Sequence, residues 1–183
     1  MLNKLQKWAT GRNVIIFVLL DVIFMMGVMP YMHALMTKAA GKSVAPIDLS
    51  IPTWTPEQGY ALLDSYGEAG RSLYLIIDLT ADVVYPIIYG IAFALLLTFL
   101  VRKIAPSNKW LPYLAFLPLL AVVFDYAENA TIITMLNAYP EKLIGVAKLG
   151  GIFTLCKWVL VFATIGGSVI GLIVWGIKGI TKR

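Results

Sequence analysis

Charge is scarce in this 183-residue sequence: Asp, Glu, Lys and Arg make up 14% of it, against 60% hydrophobic residues. A soluble domain carries about 25% charge. That scarcity, with long uncharged runs and a mean hydropathy of +0.82, excludes an ordinary soluble domain and puts the chain in the membrane class. Cysteine and histidine are scarcer still, since Cys156 and His33 are the only ones. A lone cysteine excludes a disulfide framework, and one of each leaves no zinc site of the usual His/Cys type. Internal repeats, low-complexity tracts, a phosphate loop, a nucleotide fingerprint and a Ser-His-Asp order are also lacking. The net charge of +5 superficially suits nucleic acid, but its distribution along the chain follows membrane topology instead. No nucleic-acid partner is expected.

What is present is a set of four apolar runs. The first extends from Val14 to Met36 and is broken only by Asp21. A signal-peptide core is about 7–15 residues long and carries no acid, so this run is expected to be a retained span. The second runs from about Leu73 to Val101, the third from Trp110 to Leu136 and the fourth from Gly150 to Ile177. Each exceeds the roughly 20 residues that cross a bilayer. Tilting or kinking is expected, with kinks at Pro30, Pro86 and Pro118. The expected fold is an all-α integral membrane protein, a single four-transmembrane-helix bundle spanning residues 1–183.

Basic residues set the orientation. If the N-terminus is inside, the inner segments hold Lys4, Lys7, Arg12, Arg102, Lys103, Lys109, Lys178, Lys182 and Arg183, with no acid among them. The outer segments hold Lys38, Lys42, Arg71, Lys142 and Lys148, against Asp48, Glu57, Asp64, Glu68 and Glu141. The bias predicts an N-in, C-in topology with Trp8, Trp110 and Trp175 at the inner interface. A bacterial inner membrane with both termini cytoplasmic is the expected location. The long outer loop, residues 37–71, starts irregularly and then contains Thr55-Pro56-Glu57-Gln58, a helix-start signature. A short amphipathic helix to about Tyr66 is predicted, with Tyr60, Leu63 and Tyr66 on one face.

The remaining five acids lie inside spans, where each charge costs roughly 2.5–3.5 kcal/mol at the bilayer centre and marks function. At 1.5 Å per residue, Asp78 and Asp82 fall roughly 7–14 Å below the outer end of the second span. Asp125, Glu128, Asn129 and Lys157 fall at mid-depth or in the outer half, with His33 and Arg71 at the outer rim. Asp21, in the inner half, stands apart. Asp78, Asp82, Tyr85 and Tyr89 share one helical stripe, and Asp125, Glu128 and Asn129 share another. Thr154, Lys157, Val161, Thr164 and Ser168 form a third. By contrast, Ala163, Gly167 and Gly171 look like a close-packing seam.

These stripes predict a polar cavity open to the outer side, with more acid than base. The surplus can be removed by protonation or by a divalent cation held among Asp78, Asp82, Asp125 and Glu128. The cofactor is otherwise unknown. As an enzyme on a lipid or other amphipathic substrate, the chain would use those four carboxyls as acid/base or metal-binding groups. Tyr85, Tyr89, Asn129, Lys157, Arg71 and His33 would bind substrate, Lys157 or Arg71 holding an anionic headgroup. The competing readings are a proton- or cation-coupled transporter, for which four spans would require a homo-oligomer, and a non-catalytic subunit that binds a hydrophobic small molecule or a partner helix. Membrane lipids are expected neighbours in every case.

The layout also resembles the EXPERA group, the four-span sterol isomerases and sigma-2 receptors. Those proteins have a sizeable first outer loop and acids in the spans. Within this chain the stretch Asp82-Val83-Val84-Tyr85-Pro86 through Tyr89 invites the comparison. The resemblance is one of topology, carries over no site residue, and implies a cavity for a hydrophobic ligand.

Overall fold

The computed structural model describes residues 2–181. Lys182 and Arg183, the last two of the basic residues assigned to the inner side, lie outside the described residues, as does Met1. The described chain is all-helical and has no strand. In order come α1 (Leu2–Trp8), α2 (Gly11–Ile23), a π-helical turn (Phe24–Val28) and α3 (Met29–Ala40). A 3-10 turn (Ile47–Leu49) then leads to α4 (Pro56–Leu79) and α5 (Ala81–Ile104), and a second (Leu111–Phe116) to α6 (Leu117–Ala138) and α7 (Ile144–Ile180). Among the described residues, four stretches are long and apolar enough to cross a membrane: Gly11–Ala40, Pro56–Ile104, Leu111–Ala138 and Ile144–Ile180.

Local chemistry sets the helix ends and breaks. The Thr10 hydroxyl accepts from the Asn13 N–H at 3.3 Å and opens α2, as an N-cap should. Gly41 closes α3 at φ 68°, the left-handed conformation that suits glycine. Pro30 has no N–H for the helical ladder, and the chain widens into the π turn directly before it. At the start of α4, the Thr55 and Gln58 side chains form a reciprocal capping box with Pro56 at the first turn. Gly67, at φ 65° and ψ 178°, then interrupts that helix.

The second apolar run is not one continuous helix, as Leu73 to Val101 had suggested. It breaks at Thr80, whose backbone leaves the helical region at φ −127° and ψ −80°. The Thr80 hydroxyl bonds back to the Ile76 carbonyl at 2.5 Å, a competition with the main-chain ladder that favours a break or bend. The break falls between Asp78 and Asp82.

Two ends of the bundle are tied differently. At one, Arg102 donates to the Gln6 carbonyl at 2.6 Å and Lys178 to the Ile104 carbonyl at 2.6 Å. These bonds bring α1, the end of α5 and the end of α7 together and cap carbonyls that a helix C-terminus leaves open. At the other, Tyr60, Leu63 and Tyr66 turn their common face into a core with Met36, Ile47, Trp54, Tyr74, Ile132 and Met135. Trp54 docks on α7 because residue 150 is glycine: a Cβ there would lie 2.6 Å from the indole and from Thr131 Oγ1.

On α7, Thr154, Lys157, Thr164 and Ser168 are buried, whereas Ile152, Val159, Phe162, Ile170 and Ile173 are exposed. The small-residue seam is narrower than its spacing suggests. Gly171 and Gly167 approach Leu100 and Leu97 of α5, but Ala163 is exposed.

Candidate functional site

A cavity of about 570 Å³ lies among all the long helices. One wall comes from the first span. Asp21, Met25, Met29, Met32 and Met36 recur at i, i+4, i+8, i+11 and i+15, a single helical stripe, and all five line the cavity together with Pro30 and His33. The facing walls carry Tyr74, Asp82, Tyr85 and Tyr89 from α4 and α5, Asp125 from α6, and Lys157, Trp158, Val161 and Thr164 from α7. Methionines and aromatics make most of the surface soft and apolar, and the carboxyls, phenols and one ammonium concentrate its polarity.

Lys157 organises the polar end. Its ammonium is ion-paired with Glu128, lies 3.7 Å from Asp125 Oδ1, and donates to the Asp48 carbonyl at 3.1 Å. Glu128 and the Asp48 carbonyl are close partners of the ammonium, and Asp125 adds a longer ionic contact. Glu128 is fully buried and also accepts from the Thr154 hydroxyl at 2.5 Å. Asp125 accepts from the Tyr89 hydroxyl at 2.9 Å. Lys157 thus fixes two carboxyls and one loop, and its charge is matched within the protein. This differs from the sequence expectation of a cation waiting for an anionic headgroup.

Asp78 and Asp82 straddle the helix break, and both are buried. No hydrogen-bond donor among the described residues serves either Asp78 carboxyl oxygen. Only Asp82 of the two lines the cavity. Behind it, Asn129 donates its amide to the Asp82 carbonyl at 3.3 Å. That carbonyl is the one whose helical donor would be residue 86, a proline. Asn129, expected to bind substrate, therefore has a structural task.

Sequence reasoning set Asp21 apart from the other acids and left Asp48 in the outer loop. Both assignments change. Asp21 faces Tyr85 and lines the same cavity as Asp82 and Asp125. Its membership was legible in the methionine stripe that begins four residues after it. Asp48 folds inward on the 3-10 turn, where the Tyr74 hydroxyl donates to its Oδ1 at 2.5 Å. Only its apolar neighbours Ile47 and Leu49 hinted at burial. His33 lines the cavity with its Nε2 2.5 Å from the Val44 carbonyl. Arg71 is elsewhere: it donates to the Leu63 carbonyl at 3.1 Å and sits 3.9 Å over the Tyr139 ring. Tyr139 in turn donates to Asp64 at 2.6 Å, and that bond pushes the pKa of its phenol above the ordinary tyrosine value.

Among the described residues, no three of the His, Cys, Asp and Glu side chains gather closely enough to hold a metal ion. Asp78, Asp82, Asp125 and Glu128 instead divide into a carboxyl pair and a lysine-bound pair. No family model, no curated protein and no solved structure matches the chain.

Proposed function

We propose that this chain is an integral membrane protein, N-in and C-in, that binds or chemically converts a lipid-like or other hydrophobic substrate in its central cavity. The observation that carries this reading is the two-part cavity wall: a methionine stripe on the first span faces a cluster of carboxyls and phenols on α5 and α6. Such a division suits a ligand with an apolar body and one polar group. Asp82 is the group best suited to acid/base work. It faces the cavity from the first turn of α5, and Asp78 stands across the helix break from it, so it is placed to reach a bound polar group. Asp125, oriented by Tyr89 and Lys157, would position the polar group. Carboxylate acid/base chemistry is favoured over metal assistance because the four acids do not converge.

Sidedness follows from the basic residues. The end carrying α1, Arg102 and Lys178 would face the cytoplasm of a bacterial inner membrane, and the loop of residues 41–55 with the first half of α4 would cover the cavity from the opposite side.

The test is extraction in mild detergent followed by mass spectrometry of co-purified lipids, for wild type and for Asp82→Asn. A hydrophobic molecule retained by wild type and reduced or altered in Asp82→Asn is the expected result. Identical and purely bulk-lipid contents in both would sink the reading.

A proton-coupled transport role is the second reading. It is favoured by one observation, that Asp21 lies on the same cavity as Asp82 and Asp125, since chains of intramembrane acids serve as proton relays. Flux of protons through reconstituted vesicles under a pH gradient, lost in Asp21→Asn, would support it, and no flux would argue against it.

A further inference from the structure

The end of the bundle that carries α1 has a second hollow, of about 490 Å³, lined by Asn3, Gln6, Lys7, Thr10 and Arg102. It shares no lining residue with the central cavity. Two faces of α1 divide the work. Leu5 and Ala9 join a small core with Val14, Leu95 and Phe99, which docks the helix on α5. Asn3, Gln6 and Lys7 recur at i, i+3 and i+4, a common helical face, and Thr10 follows where α2 begins. Arg102 closes the hollow from α5. Its Nη1 donates to the Gln6 carbonyl at 2.6 Å. That bond anchors the planar guanidinium, whose fork has further N–H donors to offer a ligand.

Among the described residues, every side chain that lines this hollow carries a polar group, two are cations and none is an acid. No acid is close in the chain either: none occurs before Asp21, between Asp82 and Asp125, or after Glu141. Membrane sidedness accounts for an excess of lysine and arginine at this end. It does not require two of them to close a hollow with two amides and a hydroxyl. That donor set suits an anion with several oxygens, above all a phosphate, which arginine grips through its fork and lysine meets as a point charge. The surroundings point to a lipid as the carrier of that phosphate. Trp8 and Trp110, 62% and 81% exposed, stand at this end, as tryptophans do at headgroup level. Beyond Thr10, the exposed Ile15, Leu19 and Ile23 of α2 recur at i, i+4 and i+8, a stripe along which an acyl chain can lie.

We propose that this hollow binds the phosphate of an anionic phospholipid between Lys7 and Arg102, with Asn3, Gln6 and Thr10 meeting the hydroxyls of its headgroup. Basic pockets at the cytoplasmic ends of membrane helices take such headgroups. A zwitterionic headgroup fits less well, because its own ammonium would meet the same two cations. The inference needs the chain to span a membrane, but it does not need the central cavity to hold a ligand.

The full chain in a neutral detergent is titrated by native mass spectrometry with phosphatidylglycerol and, separately, with phosphatidylcholine of the same acyl chains. Wild type should bind one phosphatidylglycerol about tenfold or more tightly than phosphatidylcholine, the scale of two basic residues on one anion. In Lys7→Gln that preference should fall about fivefold, the share of one basic residue. Lys7 is exposed, so the substitution spares the packing of α1. Lys4→Gln and Lys109→Gln remove exposed charges at the same end that do not line the hollow. Each should leave the preference within about twofold. Equal binding of the two lipids by wild type, or an undiminished preference in Lys7→Gln, would overturn the site. Equal losses in all three variants would overturn it too, since diffuse surface charge then suffices. Glycerol phosphate presents the same anion without acyl chains. Its failure to displace phosphatidylglycerol at equal concentration supports the lipid, and full displacement would overturn the lipid in favour of a soluble phosphate.

Discussion

The Asn129 amide donates to the Asp82 carbonyl, the oxygen that Pro86 leaves without a helical donor. The proline and the asparagine lie on different helices, so the bond repairs a defect in α5 from α6. A buried carbonyl stripped of its donor costs about 1–3 kcal/mol. Asn129→Leu should therefore destabilise the protein by that order. Pro86→Ala in the same chain restores an N–H for the Asp82 carbonyl and should recover much of the loss. Thermal unfolding in detergent of both single variants and the double variant gives the coupling energy, and strictly additive effects would show that the two residues do not serve the same oxygen.

Lys157 holds together elements that are far apart in the chain. It joins Glu128 and Asp125 on α6 to the Asp48 carbonyl in the loop. Removing one member of a buried ion pair costs about 3–5 kcal/mol because the partner is left charged and unpaired. Lys157→Met should reduce stability by about that much. Adding Glu128→Gln removes the orphaned charge while keeping an acceptor for the Thr154 hydroxyl, so Lys157→Met/Glu128→Gln should be more stable than Lys157→Met alone. Equal melting temperatures for Lys157→Met and wild type would contradict this account.

Two glycines on α7 should respond to alanine with opposite signs. At Gly150 a Cβ would press on the Trp54 ring and Thr131 Oγ1 at 2.6 Å, so Gly150→Ala should loosen the loop and cost about 1–3 kcal/mol as overpacking does. At Gly166 a Cβ meets nothing within 4 Å, so Gly166→Ala should be neutral or stabilise the helix by up to about 1 kcal/mol. Proteolysis within residues 41–55 provides a local readout: faster cleavage is expected in Gly150→Ala only.

How legible all this was depends on the range of the interaction. Apolar runs showed the four long helices, because hydrophobicity needed to cross a bilayer is a local property. The cap at Thr55 was legible because its partner, Gln58, lies three residues away. The inward stripes of α5, α6 and α7 were legible from helical spacing alone. The break at Thr80 was not, since a threonine bonded to its own helix and a threonine in a continuous one look alike in sequence. Asp48 was assigned by loop position, and only long-range bonds to Tyr74 and Lys157 bring it inside. Asp21 was misjudged by comparing depth rather than face. Its spacing to Met25, Met29 and Met36 would have put it on the cavity.

Sidedness is the remaining expectation that a direct measurement reaches. Nine basic and no acidic residues fall in the segments assigned to the cytoplasm, against five of each sign in those assigned outside. Translocating Lys and Arg is disfavoured, so this asymmetry should fix N-in and C-in. Ser43 and Ser107 are both exposed. Ser43 lies in the loop between the first two long helical stretches, and Ser107 in the connection after α5. Cys156 is first replaced by alanine so that each introduced thiol stands alone. In intact cells a membrane-impermeant maleimide should then label Ser43→Cys, whereas Ser107→Cys should react only after permeabilisation. Neither substitution changes a charge, so neither disturbs the bias that sets the topology. The reverse pattern would invert the orientation and put the covered end of the cavity toward the cytoplasm.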